Sequence, residues 1–189
     1  MKRFISFYRR IPKWRRRFLN LFLFCLLLFL FRAPIYRTCF SYSLVGDRGD
    51  NSHILAREPS VDNKLVRQII DRCLDSTSAL LSFTTSSCKM DAASLISGGE
   101  TNCVGYAALF AAQCNGVFKH YGIYNRCRAE IHITEIHCFG FNIHHAFSSP
   151  FWKNHDAVRI INNTDQQTFL IDPTLYDFCG IGYVSERKN

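Results

Sequence analysis

Three residues spread over about 70 positions are of the types that perform nucleophilic acyl transfer. Cys103 follows Gly98 and Gly99 at the start of a predicted helix, His155 opens a predicted strand, and Asp172 ends the next strand. A cysteine attacks acyl groups as the thiolate, a histidine can hold the thiol proton, and a carboxylate can orient that histidine. The residue types and their order therefore indicate a Cys-His-Asp site.

The position of Cys103 in the first turn of its helix suits a nucleophile. The first backbone N–H groups of a helix have no partner within the helix, and the helix dipole favours negative charge there. The same N–H groups can donate hydrogen bonds to a developing oxyanion. Asn102, Tyr106 and Trp152 are the neighbouring candidates for oxyanion or substrate contacts.

Hydrophobic periodicity predicts two helices followed by strands. Apolar residues recur at helical spacing over about 61–74 and again over about 102–119. Downstream, the apolar period becomes two over 128–139, and two short strands, 157–161 and 168–171, flank a turn-rich connection. This order predicts an α+β domain in which the nucleophile helix packs on an antiparallel sheet.

The two short strands are expected to form a hairpin, and the hairpin bears on the chemistry. Antiparallel pairing brings the start of the first strand beside the end of the second. His155 and Asp172 occupy those two positions, so they can be cross-strand neighbours. His144 and His145, in the loop before the hairpin, remain alternatives to His155 as the base.

The positive charge of the chain is concentrated at its N-terminus. The net charge is +8, but residues 1–32 carry nine of the 23 Lys and Arg residues and no acid. The remaining residues are 14 basic and 15 acidic, a net charge of −1. A nucleic-acid-binding domain, which needs a basic surface, is therefore not predicted.

Behind the basic segment 1–17, residues 18–31 form an apolar run with Asn20 as its only polar member. A helix of 14 residues is roughly 21 Å long, against roughly 30 Å of bilayer hydrocarbon. We predict an uncleaved signal anchor with a cytoplasmic basic segment and an exported domain. The alternative is a cleaved signal peptide and a secreted domain. Residues 32–60 read as a connector, with a possible short strand at 42–45, and residues 61–189 as the catalytic domain.

The chain has nine cysteines, eight of them outside the apolar run. Disulfides persist in exported proteins. If Cys103 is a free thiol, seven cysteines remain outside the apolar run, so at least one of them is unpaired or pairs between molecules, and the sequence does not determine the disulfide pairing. The main alternative interpretation is a metal site that involves His132 and Cys138. The chain has neither a Cys-x-x-Cys nor a His-Glu-x-x-His motif, and no cofactor is therefore expected.

The segments around the three residues resemble a known family. Residues 102–110 resemble the nucleophile helix of the transglutaminase-like superfamily of cysteine enzymes, and 154–160 and 170–174 resemble its histidine and aspartate strands. The resemblance covers about residues 61–178. It implies a papain-like core in which Cys103 is the nucleophile, His155 the general base and acid, and Asp172 the residue that orients the histidine.

Together these observations predict a cysteine-dependent acyl-transfer enzyme that hydrolyses a peptide or amide bond through a Cys103 thioester. Resolution of the thioester by an amine would make it a transamidase. The expected partners are a peptide or protein substrate and, through the anchor, a membrane. The alternative is an exported, non-catalytic binding or interaction domain of the same fold whose cysteines are structural.

Overall fold

The structure, a computed structural model, describes residues 12–48, 61–146, 154–164 and 166–187. The chain divides into two compact units, Met1–Thr38 and Cys39–Asn189.

In the first unit, residues 18–30 of the predicted apolar run are helical, in a helix that begins earlier, within the basic segment. Helix α1 spans Lys13–Leu30 and helix α2 spans Arg32–Cys39. Of the helices in the described ranges, none alone has both the length and the apolar composition to cross a membrane. Taken together, the two helices are long and apolar enough, but they are bent by 67° at the break between them.

The described residues of the second unit form an antiparallel sheet, a small parallel pair of strands and four α-helices. Its elements in chain order are β1 (Phe40–Asp47), α3 (Asn63–Leu80), β2 (Leu81–Phe83), α4 (Ala92–Leu95), β3 (Gly99–Thr101), α5 (Cys103–His120), β4 (Cys127–Cys138), β5 (Phe141–Asn142), a 3-10 turn (Ile143–Ala146), β6 (His155–Asn162), β7 (Gln167–Ile171), α6 (Pro173–Cys179) and β8 (Tyr183–Val184). The main sheet has the order β1-β4-β6-β7-β8, with β5 beside β4, while β2 and β3 form a small parallel pair. The predicted α+β class is confirmed.

The two edges of the main sheet meet at Tyr42. Its backbone N–H donates to the carbonyl of Ser185 at 2.8 Å, and its carbonyl accepts from the N–H of Arg187 at 2.7 Å. Strand β1 therefore pairs with β4 on one side and with the chain that follows β8 on the other.

The core lies between the two long helices and one face of the sheet. Both helices begin at a side-chain cap, Asp62 for α3 and Asn102 for α5. Such caps bond an N–H that the helix itself leaves unpaired. The fully buried core residues contributed by helices and sheet are Val66, Ile70, Ala107, Phe110, Cys114, Phe118, Cys127, Val158, Ile160 and Ile171.

The structure extends several predicted elements and adds others. The first long helix runs on to Leu80, and the span 32–60, predicted as a connector, contains α2 and strand β1. The compact unit begins at Cys39 because β1 forms one edge of the sheet. Helix α6, directly after Asp172, was not predicted.

Candidate active site

Cys103 is the first residue of α5, and the local sequence sets that start. The Asn102 side chain accepts a hydrogen bond from the N–H of Val104 at 3.0 Å and caps the helix. The thiol-bearing residue is partly exposed, so a substrate can reach it. As an N1 residue, Cys103 also has a backbone N–H with no acceptor within the helix.

Strand β3 is held tightly against the first turn of α5. A Cβ atom on Gly105 would overlap the Thr101 side chain and approach the Leu95 side chain at 2.8 Å. Thr101 is itself fixed, because its hydroxyl donates to the carbonyl of Lys89 at 2.6 Å. This close approach fixes where α5 begins and therefore where Cys103 lies.

His155 and Asp172 are brought together by the β6–β7 hairpin. The strands pair antiparallel with Val158 opposite Ile171, so the start of β6 lies beside the end of β7. His155 Nε2 is 2.7 Å from Asp172 Oδ2. The side chain of Asp172 is 2% exposed and that of His155 is 16% exposed.

Both oxygens of Asp172 are engaged by groups that hold its orientation. Oδ1 accepts from the N–H of Leu175 at 2.9 Å and caps helix α6. Oδ2 accepts a hydrogen bond from the Tyr42 hydroxyl at 2.7 Å as well as meeting the His155 ring. The Tyr42 ring packs edge-on against His155, with ring centroids 6.0 Å apart.

The electrostatics of the three residues favour a protonated histidine. Burial lowers the pKa of His155, but the charge and hydrogen bond of Asp172, and then a hydrogen bond and charge from Cys103, outweigh it and raise the pKa to about 10. Burial raises the pKa of Asp172, and His155, the Leu175 N–H and Tyr42 together bring it below its usual value. Because Nε2 faces Asp172, Nδ1 is the ring nitrogen left for the thiol.

The three candidate contact residues are in different situations. Asn102 lies beside Cys103 as the helix cap. Tyr106 is fully buried in a small apolar cluster, and its hydroxyl donates to Asp177 at 2.7 Å, so the structure gives it a packing contact rather than an oxyanion contact. Trp152 lies outside the described residues.

The alternative bases and ligands lie elsewhere. His144 and His145 are in the 3-10 turn, where His145 Nε2 is 3.4 Å from the Asn142 amide, whereas His155 contacts the carboxylate. Within the described ranges, no three His, Cys, Asp or Glu residues converge as a metal site requires. Cys103 is a free thiol.

Two hydrogen bonds to Asp172 and His155 could not be predicted from the sequence. The Tyr42 hydroxyl bonds Asp172 across 130 positions, and the Thr134 hydroxyl donates to the His155 carbonyl at 2.8 Å. Asp156, beside the histidine, is buried and paired with Arg48 at 2.6 Å. A period-two pattern could have placed Tyr42 on a strand, but nothing in the sequence joins it to Asp172.

Comparison with known proteins gives no relative: the chain matches no protein-family model, no curated protein and no solved structure. The functional interpretation therefore depends on the residues and their geometry.

Proposed function

We propose that this protein is a cysteine-dependent acyl-transfer enzyme with a transglutaminase-like, papain-like core, and that it hydrolyses a peptide or amide bond. One observation carries the proposal: the His155 ring lies 2.7 Å from the Asp172 carboxylate, Cys103 helps to raise the pKa of that histidine, and Cys103 heads a capped helix. A nucleophile, a base oriented by a carboxylate and a helix N-terminus are the groups that acyl transfer through a thioester needs.

In the first half-reaction the Cys103 sulfur attacks the carbonyl carbon while His155 holds the thiol proton. Negative charge develops on the carbonyl oxygen, where the N–H groups of the first turn of α5 can stabilise it. His155 then gives its proton to the leaving amine as the C–N bond breaks, and Cys103 keeps the acyl group as a thioester.

In the second half-reaction His155 takes a proton from water, and the resulting nucleophile attacks the thioester carbon. The C–S bond breaks, the sulfur recovers the proton, and a carboxylic acid leaves. An amine in place of water would give a new amide, which is transamidation. Throughout, Asp172 keeps the imidazole oriented and stabilises its charged form.

The exposure of the site favours an extended substrate. Cavities of about 420 and 380 Å³ lie along α5, and neither has a triad residue in its wall. Cys103 is partly exposed, and the side chain of His155 is 16% exposed. A peptide segment or a protein side-chain amide suits such a site better than an enclosed small molecule.

The test is alkylation of the folded protein with iodoacetamide at pH 6, followed peptide by peptide by mass spectrometry. We expect Cys103 to react at least about tenfold faster than Cys88, because the imidazolium of His155 stabilises its thiolate. Cys88, also partly exposed, is the internal control. The His155→Gln variant should slow Cys103 and leave Cys88 unchanged.

Equal rates at the two cysteines, or no effect of His155→Gln, would overturn the proposal. Recovery of Cys103 in a disulfide by non-reducing peptide mapping would instead support a non-catalytic binding domain, since a bridged sulfur is not a resting nucleophile.

We further propose that the N-terminal segment attaches the protein to a membrane, with the second unit on the exported side. The apolar helix α1 behind a basic segment supports this orientation. Carbonate extraction and protease protection of the full chain test it. The chain should resist extraction, and loss of the second unit to protease added on the cytoplasmic side would contradict the orientation.

A further inference from the structure

The turn between β4 and β5 presents two phenylalanines to solvent. Phe139 and Phe141 are 72% and 79% exposed, and only Gly140 separates them. Cys138 pairs with Phe141, so the turn has two residues, and both have positive φ, 49° for Phe139 and 86° for Gly140. Such turns normally carry Asn-Gly or Asp-Gly. A bulky aromatic residue in this strained conformation, exposed to water, points to a contact outside the chain.

The turn is fixed at the place where the chain enters the second unit. The N–H of Phe139 donates to the carbonyl of Cys39 at 2.7 Å. Cys39 is the last residue of α2 and the first residue of the second unit. The backbone of the turn is thus hydrogen-bonded to the residue that follows the first unit along the chain.

The charge around the turn is positive. The exposed Arg187 guanidinium contacts His137 Nδ1 at 2.8 Å and donates to the Gly140 carbonyl at 3.3 Å. Exposed His145 follows β5 in the 3-10 turn. The acidic neighbour of Arg187, Glu186, is 3.8 Å from Arg159. An apolar tip beside an exposed arginine matches the boundary between the acyl chains and the headgroups of an anionic bilayer.

We propose that the Phe139–Phe141 turn is a second membrane contact, in which both rings enter the bilayer interface and Arg187 meets phospholipid headgroups. The proposal rests on the membrane attachment of the N-terminal segment and is independent of the reaction of Cys103. Its consequence is that the second unit lies against the lipid surface instead of moving freely on a tether.

The experiment uses the full chain in nanodiscs of phosphatidylcholine and phosphatidylglycerol, with and without brominated acyl chains. Both native tryptophans are replaced by phenylalanine, and one reporter is introduced, Phe139→Trp or Phe141→Trp. Phe178→Trp is the matched control, because Phe178 is 65% exposed on α6. We expect brominated lipid to quench the turn reporters about twofold or more, and acrylamide to quench the control preferentially.

Turn reporters that behave like Phe178→Trp would overturn the proposal. So would reporters shielded from acrylamide but untouched by brominated lipid, since that result indicates a protein partner. A chain that keeps Trp14 as its only tryptophan reports separately on the N-terminal segment. Quenching of Trp14 without quenching at the turn leaves the anchor intact and rejects the second contact. Replacing phosphatidylglycerol by phosphatidylcholine, or Arg187 by Gln, should weaken quenching at the turn.

Discussion

At the scale of single residues, the Asp172 carboxylate joins three elements, one of which, β1, is far away in the sequence. It accepts hydrogen bonds from Tyr42 in β1 and from the N–H of Leu175 in α6, and it contacts His155 in β6. A buried carboxylate with several hydrogen bonds is held in one orientation and stays charged. The orientation of the histidine ring thus depends on Tyr42 and Leu175, which bond to Asp172 and not to the ring itself.

Replacing Tyr42 by Phe tests this dependence. The variant removes one donor to Asp172 Oδ2, which should raise the pKa of Asp172, slow alkylation of Cys103 several-fold and cost about 1 kcal/mol of the free energy of unfolding. Tyr183→Phe is the matched control, because its hydroxyl donates to Asp71 at 2.9 Å, outside the triad. It should lose less stability, because this bond is solvent-exposed whereas the bond from Tyr42 is buried, and it should leave the Cys103 rate unchanged. Equal alkylation rates in the two variants would contradict the role of Tyr42.

The raised pKa of His155 predicts a pH-dependent contribution to stability. The histidine binds its proton more tightly in the folded state, with a pKa of about 10 against an ordinary value of 6.5. Its contribution is therefore complete below about pH 6.5 and is lost as the pH rises through about 10. The difference in free energy of unfolding between wild type and His155→Gln, measured in urea, should be larger at pH 6 than at pH 10.5 by roughly 1–3 kcal/mol. A pH-independent difference would show that the charge of His155 does not stabilise the fold.

At the scale of secondary structure, the first turn of α5 determines where Cys103 lies. Its cap, Asn102, fixes the helix start, and Gly105 lets β3 come close to the helix. A second glycine of the same helix, Gly116, has open space where a Cβ would be. Substituting each of the two glycines therefore distinguishes the effect of helix propensity on stability from the effect of close packing.

Changing each glycine to alanine should have opposite effects. Gly105→Ala introduces a methyl group that overlaps the anchored Thr101 side chain, so we expect a loss of about 1–3 kcal/mol and slower Cys103 alkylation. Gly116→Ala should raise stability by up to about 1 kcal/mol, because alanine favours the helical conformation. Thermal or urea unfolding measures both. Stabilisation of the protein by Gly105→Ala would show that β3 does not constrain the helix.

Local patterns were sufficient to predict the elements that carry the triad. The helix after Asn102 and the hairpin that pairs β6 with β7 follow from capping and periodicity, and His155 and Asp172 are only 17 positions apart. The bond from Tyr42 to Asp172 spans 130 positions and depends on how the whole sheet is arranged. No local pattern encodes such a pairing, and the same holds for the sheet edges that meet at Tyr42.

At the scale of the whole molecule, the sheet joins the first and last described strands of the second unit. The backbone of Tyr42 pairs with Ser185 and Arg187, while its hydroxyl reaches Asp172. Residues 185–187 thus hydrogen-bond to strand β1, and Tyr42 of that strand hydrogen-bonds to Asp172.

A truncation series tests this connection. A chain ending at Val184 lacks both backbone bonds to Tyr42, and we expect it to lose about 1–3 kcal/mol of stability and to show slower alkylation of Cys103. A chain ending at Arg187 retains both bonds and is the control. Unfolding in urea and peptide-resolved labelling measure the two effects. Full reactivity of Cys103 in the shorter chain would show that the closure is not needed by the site.

The direct continuation of α2 into β1 also gives the protein a mechanical pathway. A force on the N-terminal segment enters the second unit through Phe40 and is borne by hydrogen bonds on both sides of β1. Tyr42 lies two residues further along and its hydroxyl donates to Asp172, so this carboxylate is close to the point where the load enters. Tension on a tethered chain should therefore slow Cys103 before the domain unfolds, which labelling under load in a single-molecule instrument would detect.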